Sequence, residues 1–453
     1  MNLVGTASAN RRVLRTAFAA VLVFSCRGAY ADHDPPPDVP IQQWLQGKDR
    51  RDFDWKVEVE RPYLTFQQRH LQKIHTTLSV GKLLKAGVSL TDLHFVVKFA
   101  DDKGNWFPGQ CYSHFLPTPD LGPGDDIHSF ASAYLRPGKY QVAVMAYDSF
   151  NRRGNFWKSH FEVPGIKDDP LPDIDRDLPQ IDFLPDVQHL DLKVNPRPQS
   201  VDSVEMFLGH YQSVDSFALG EGTLRLPIAT KSPVLLDVIV DFHPAILWGS
   251  ARLHWNAAVL MQISQVLSQL GAKNGCVHFS AINLMQQKTY LHREEADTVA
   301  WNKLQKLLEE TEHNNQANRN IVDVRTLAGP KPAPDHFARF LEKVLASTDT
   351  CDAQPQPLRH VLIVVSDALP FFNSNMESAE VRPESFPGVE TYHLELDQSS
   401  GGVRSDQMVS VLKSLHPVEF RFSHATQFRH ALARVISGIE KPPENVGHSP
   451  GIP

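Results

Sequence analysis

Hydrophobic and polar residues follow two rhythms along the chain. Between residues 57 and 165 the period is two. Leu93, Phe95, Val97 and Phe99 alternate with His94, Val96 and Lys98, and Tyr140, Val142, Val144 and Ala146 alternate with Gln141, Ala143, Met145 and Tyr147. Trp157, Phe161 and Val163 repeat the pattern against Lys158, His160 and Glu162. Successive side chains of a strand point to opposite faces, so this rhythm predicts strands with one buried and one wet face. Asp102-Lys103-Gly104-Asn105, Arg136-Pro137-Gly138 and Arg153-Gly154-Asn155 supply the turns. Short alternating strands at regular spacing predict an antiparallel, Ig-like β-sandwich.

From residue 188 to 440 the rhythm becomes strand-then-helix. Runs 234–240 and 361–365 are almost unbroken apolar segments, as expected of central parallel strands covered on both faces. Residues 189–194, 222–228, 276–282 and 321–324 are shorter strand candidates, and 389–396 and 418–422 alternate as strands nearer a sheet margin do. Helical stripes lie between them: Leu253, Leu260, Ile263, Leu267 and Leu270, stopped by Gly271; Ala300, Leu304, Leu307 and Leu308; Phe337, Phe340, Leu341, Val344 and Leu345 after an N-cap at Asp335. Met408, Val411, Leu412 and Leu415 follow Ser405, and Phe428, Leu432, Val435 and Ile436 follow Thr426. Alternating strands and helices predict an open, doubly wound, Rossmann-like α/β sheet, making the chain multidomain.

The segments around these two domains carry different signals. Residues 166–187 hold seven aspartates and four prolines in twenty-two positions, which predicts a solvated acidic linker without a core. Asp173-Ile174-Asp175-Arg176-Asp177 resembles the opening of a calcium loop, but Leu178 stands where that loop needs glycine and its closing glutamate is missing. Residues 32–56 read as a proline-rich leader and 441–453 as a disordered tail. At the N-terminus, Arg11, Arg12 and Arg15 precede an apolar run of nine (16–24), and Ala29-Tyr30-Ala31 follows. That order predicts a signal peptide, 1–31, and a secreted or periplasmic mature protein. Val23-Phe24-Ser25-Cys26 resembles a lipoprotein box, which would anchor the chain at Cys26, but Phe24 is bulkier than that box takes. No later run is long enough for an integral membrane span.

Charge narrows the partners. Four of the 45 basic residues lie in 1–31, leaving 41 against 52 acids. A negative surface repels phosphate backbones, which argues against a nucleic-acid partner. Beyond the signal, Cys111, Cys276 and Cys351 allow one disulfide and one thiol in an oxidising compartment. Under a 3-2-1-4-5-6 strand order Cys276 and Cys351 would flank the first core strand at the same sheet end, where they either form that bond or stand as two buried small hydrophobes. Enzyme signatures are scarce. There is no H-E-x-x-H and no G-x-x-x-x-G-K, and Gly447-His448-Ser449-Pro450-Gly451 matches a nucleophile elbow without the helix that must follow it.

In an open α/β sheet ligands bind outside the carboxyl ends of the strands. Two candidate central strands end there in acids, Val240-Asp241 and Ser366-Asp367. The strand–acid–helix start at 234–241, the 361–367 strand and the six-strand rhythm resemble a von Willebrand factor A-type (VWA) domain. The run from Leu224-Arg225-Leu226-Pro227 to Val234-Leu235-Leu236-Asp237-Val238 is similar to the bacterial VWFA-related family of exported proteins. The likeness covers residues 222–440. It implies a metal-ion-dependent adhesion site whose first loop reads Asp-x-Ser-x-Ser, with a threonine and a second aspartate on later loops. Here the loop reads Asp241-Phe242-His243-Pro244-Ala245, and Ser366-Asp367-Ala368 stands for the last element. Thr326 is the nearest threonine, with Asp335 as a substitute. The resemblance therefore implies Asp241, His243 and Asp367 as metal ligands of a degenerate site, joined by Ser366 as ligand-binding residues. Loss of both hydroxyls weakens Mg²⁺ binding, and His243 favours softer ions.

The expected function is that of an exported, non-catalytic binding protein. Its VWA-like domain would present a face for a protein or polysaccharide ligand at the strand C-termini. An exported hydrolase working in the same acidic crevice, and a purely structural assembly scaffold, are the alternatives.

Overall fold

The computed structural model describes residues 39–117, 121–184, 222–243, 245–246, 253–254, 257–284, 286–308, 333–346, 359–367, 381, 388–397 and 407–441. The signal segment, the strand candidates 189–194 and 321–324, Thr326, Cys351 and the tail from residue 442 onward lie outside them. The described part is rich in sheet, as the alternation predicts.

Ten strands form the N-terminal half: β1 (Arg50–Arg51), β2 (Lys56–Val59), β3 (Tyr63–Leu64), β4 (His70–Ser79), β5 (Leu93–Asp101), β6 (Cys111–His114), β7 (Asp126–Leu135), β8 (Gly138–Asp148), β9 (Arg153–Val163) and β10 (Ile181–Phe183). They make two five-stranded sheets, ordered β1-β9-β8-β5-β6 and β10-β7-β4-β2, with β3 also paired to β4. All these pairings are antiparallel. Inward residues of both sheets share a core: Ile74, Ala131 and Leu135 from one, Val97, Phe99, Val142 and Val144 from the other.

Two expectations about the flanks are corrected. Residues 39–56 of the leader are part of the fold. Helix α1 (Ile41–Leu45) lies over the face of β5 and β8 that alternation assigns to water, and β1 adds an edge strand beside β9. Trp44 packs edge-on to Tyr147 at 5.3 Å and beside Phe156, which buries Val96, Ala143 and Met145 as well. Hydrocarbon on both sides of β5 explains why its alternation is imperfect at Val96.

The acidic stretch is likewise no solvated linker. Ile181–Phe183 extends a sheet, and Ile174 and Leu178 are buried in the core of the C-terminal half. Asp182 pairs with Arg69 at 2.8 Å, and Asp169 pairs with Arg429 at 2.5 Å. Acids that look like solvation in composition are here partners of buried guanidinium groups. The β3–β4 turn joins the halves further. Gln67 Nε2 donates to Gln265 Oε1 at 2.7 Å, and the Phe66 ring lies 6.1 Å from that of Phe422.

The C-terminal half contains β11 (Leu226–Ile228), β12 (Val234–Asp241), β13 (Ala245–Ile246), β14 (Leu253–His254), β15 (Leu270–Ala272), β16 (Gly275–Asn283), β17 (Lys288–Glu295), β18 (Arg359–Asp367), β19 (Glu390–Leu396) and β20 (Val418–Phe422). Six of them form one sheet in the order β17-β16-β12-β18-β19-β20. β12 runs parallel to β16 on one side and to β18 on the other, so the two long apolar segments are neighbours in the same direction. The edge differs from expectation, because β17 pairs antiparallel with β16. Its sequence, Lys-Thr-Tyr-Leu-His-Arg-Glu-Glu, buries only Leu291 well and lacks the apolar signal of an interior strand. Charged side chains on an edge are a common guard against further strand pairing.

Among the described residues the helices are α1, α2 (Val80–Lys85), α3 (Ala257–Leu267), α4 (Ala333–Leu345), α5 (Gln407–Leu412) and α6 (Ala425–Glu440), with a further helical stretch over 301–308. α3, α6 and 301–308 cover one face of the six-stranded sheet; α4 and α5 cover the other. Boundaries shift from the predicted ones. Leu253 lies in β14 and Leu270 in β15, outside the helix whose stripe they seemed to extend. Asp335 is the third residue of α4, not its N-cap, and Thr426 lies inside α6. Cys276 is disulfide-bonded, with a partner outside the described residues. Cys111 is a buried thiol whose sulfur donates to the Ser132 carbonyl at 3.4 Å. Among the described residues no helix is long and apolar enough to cross a membrane.

Candidate functional site at the strand C-termini

β12 delivers Asp241 to the carboxyl end of the sheet because its neighbours on both sides hold it in register there. Asp241 lies opposite Ile282, and Val240 opposite Val365. The strand does not pass directly into a helix as the resemblance implied; the β13–β14 pair intervenes before α3.

The Asp241 side chain is fully buried and both its oxygens are engaged. Oδ2 accepts from His243 Nδ1 at 2.7 Å, and Oδ1 accepts from the Leu284 amide at 3.0 Å. His243 is buried too. A hydrogen bond to a carboxylate fixes both the ring orientation and the tautomer of a histidine. Asn283 locks the same loop from below. Its side-chain amide donates to the Phe242 carbonyl at 3.3 Å, and its Oδ1 accepts the Gln286 amide at 3.0 Å. Phe242 inserts into the apolar core on the far side of the sheet. The loop is thereby held at three points.

Ser366 shares the face of Asp241, since it continues the alternation of Leu362 and Val364 on β18. Its Oγ is 2.9 Å from His393 Nε2 on β19. Both residues are fully buried. Complete burial, and secondarily the positive Arg421, pushes the His393 pKa down to about 4, so the ring is neutral. Glu395, two residues on, is raised by burial against the pull of Arg421, whose Nε lies 2.7 Å from its carboxylate. Asp367 is also buried, but it occupies the alternate position, that of Ile363 and Val365. Within the strand, then, the pleat groups Ser366 with Asp241, while Asp367 falls on the other side of the alternation.

His336, in the first turns of α4, completes the surroundings. Burial, with Arg339 next, holds its pKa below the usual histidine range, and the nearby Asp241 opposes that fall. Its Nε2 is buried and finds no partner among the described residues.

As a cation site the arrangement fits poorly. Among the described residues, no three His, Cys, Asp or Glu side chains are gathered to hold a metal ion. The Asp241 oxygens, the obvious hard donors, are turned to an imidazole and an amide. Mg²⁺ needs near-octahedral oxygen ligands, and both Asp241 oxygens are already engaged among the described residues.

A second buried polar group lies further down the same face. Asp237 interrupts the apolar run of β12 and is almost fully buried. Arg293 Nε donates to its Oδ1 at 3.0 Å and His360 Nε2 lies 2.7 Å from Oδ2, while Arg293 also contacts His278 Nδ1 at 2.9 Å. Sequence reading passed over Asp237, Asn283, His336 and His393. For His393 a signal exists: Thr391, His393 and Glu395 put a polar residue at every second position of β19, although the strand is buried. The others meet their partners across 41 to 123 residues of chain, where no spacing can reveal them.

Compared with protein-family models and with curated proteins, the chain gives no match to a family model and no significant match to a curated protein.

Proposed function

We propose that the chain is an exported, non-catalytic binding protein. Its C-terminal half is a VWA-type, Rossmann-like domain presenting a protein- or polysaccharide-binding face at the strand C-termini, and its N-terminal half is an Ig-like sandwich. The strand order, with its parallel β12–β18 pair at the centre, supports the VWA reading. One observation carries the functional one: Asp241 is satisfied from within, by His243 and the Leu284 amide. A carboxylate so occupied shapes and stiffens the loop that meets a ligand, and the reading needs no ion. Preorganised loops bind with a smaller ordering penalty.

The test is binding of the chain, without residues 1–31, to arrays of polysaccharides and extracytoplasmic proteins. His243→Ala and Asp241→Asn are expected to weaken the wild type's strongest signals about tenfold, the order of the ordering penalty restored when a side chain or two lose their preorganisation. Signals unchanged in both variants would remove the strand-end face from the function.

The hydrolase reading is favoured by one feature, the buried Asp241–His243 pair at 2.7 Å, which has the form of an acid orienting a catalytic base. Turnover of ester, peptide or glycan substrates by the wild type, lost in His243→Ala, would establish it in place of the binding reading.

A further inference from the structure

The outward face of the N-terminal sheet carries a cluster unrelated to the strand-end site. In β4 the residues Ile74, Thr76 and Leu78 are buried, so His75 and Thr77 face out. Register brings Glu58 of β2 and Phe130 of β7 to either side of His75, and His128 beside Thr77. His75 Nε2 lies 2.9 Å from His128 Nδ1, and the Thr77 hydroxyl lies 3.3 Å from the first nitrogen and 3.5 Å from the second.

Two nitrogens and an oxygen thus mark a nearly regular triangle. A tetrahedral ion with ligands at about 2.0–2.1 Å holds each ligand pair roughly 3.3 Å apart. The triangle matches one face of that tetrahedron after the two imidazoles part by a few tenths of an ångström. The second shell suits the task as well. Glu58 Oε2 is 3.5 Å from His75 Nδ1, the ring nitrogen turned away from the triangle, and ligating histidines typically offer that nitrogen to a carboxylate. The ring of Phe130 stacks on that of His75 at 4.4 Å and 7°, which fixes its plane.

We propose that His75, His128 and Thr77 form a binding site for a borderline-soft divalent cation (Zn²⁺, Ni²⁺ or Cu²⁺) on the exposed face of the N-terminal sheet, with the outward coordination positions left to water or to a donor from a partner. Imidazole ligands select these ions over Mg²⁺ and Ca²⁺. In the metal-free state one imidazole N–H bridges the two rings. On binding, the bridging nitrogen gives up that proton and the ring takes one from water at its other nitrogen, so it stays neutral.

The experiment is calorimetric titration of the untagged chain with Zn²⁺ and with Ni²⁺ alone, in a non-coordinating buffer. The wild type is expected to bind one equivalent. Second-shell substitutions at metal sites lower affinity about 10–100-fold, so Glu58→Gln should cost at least about tenfold. His128→Ala, which removes a ligand, should cost about 100-fold or more. Cu²⁺ on the wild type should show a two-nitrogen electron paramagnetic resonance pattern that His128→Ala reduces to one. His128 is exposed, so that variant should keep the metal-free melting temperature, and Thr77→Val provides a second arm with strand propensity retained. Asp241→Asn should leave the titration unchanged, which separates this site from the strand-end one. No binding by the wild type, or binding that survives His128→Ala, would overturn the proposal.

Discussion

Leu236, Val238, Ile363, Val365 and Leu394 cover one face of the six-stranded sheet with hydrocarbon, whereas the same three strands turn Asp237, His360, Ser366, His393 and Glu395 toward the other. Both faces lie under helices, so the difference is not one of exposure. Hydrocarbon burial is non-directional and contributes roughly 1.5–3 kcal/mol for each large side chain. It tolerates small changes in how the layers sit. Buried polar groups behave differently: each needs a partner in place, and leaving one unpaired costs more than the pair contributes. Hydrocarbon therefore supplies stability on both faces, since Ile239, Leu362 and Val364 pack on the second one, and the polar groups of that second face fix where the strand ends and their loops stand. A site for recognition is expected on the second, and Asp241 lies there.

The largest effect that separates the faces belongs to Asp237→Ala. Removing the carboxylate breaks the buried ion pair with Arg293 and takes the acceptor from His360, so urea unfolding should register a loss of about 3–5 kcal/mol. A loss under 1 kcal/mol would show that the polar cluster is not holding the sheet.

Next comes pH. The His393 pKa is about 4 in the fold and near 6.5 in the unfolded chain, so between those values the unfolded state binds more protons. Stability is fully present above pH 6.5 and falls as acid is added, by about 3 kcal/mol by pH 4. Glu395, raised by burial, contributes with the opposite sign, because its folded form holds its proton to higher pH. Comparing the stability–pH curves of the wild type and His393→Gln isolates the histidine, and the variant's curve should be flatter across that window. Equal slopes would contradict its neutral burial.

His243→Ala removes a hydrogen bond to a buried carboxylate, and chemical denaturation should show a loss of about 2 kcal/mol. The smallest effect is expected on the apolar face, where Ile363→Val should cost about 1 kcal/mol in the same assay and leave the pH curve untouched.

Much of the frame was legible. β12 and β18 stood out because a central strand buried on both faces needs hydrocarbon at nearly every position, and their parallel pairing followed from the strand–helix rhythm between them. β17 was not legible, since an edge strand with exposed Lys288 and Glu295 at its ends carries no such signal. The leader and the acidic stretch misled for a related reason: composition records that Trp44 is surrounded by polar residues and that Asp169 is acidic, but not that Tyr147 and Arg429 are waiting across the fold. Of the candidate site, Asp241, His243 and Ser366 come together near one strand end, whereas the partners that decide their chemistry, Leu284 and His393, are set by register alone.

The central proposal is that the Asp241 carboxylate, satisfied by His243 and the Leu284 amide, needs no cation. Thermal unfolding of the wild type against rising Mg²⁺ tests it most directly, because any ion bound only by the folded state raises the melting temperature by mass action. The account predicts no rise through millimolar Mg²⁺ and the same flat response in Asp241→Asn; a saturable rise in the wild type that Asp241→Asn abolishes would contradict it.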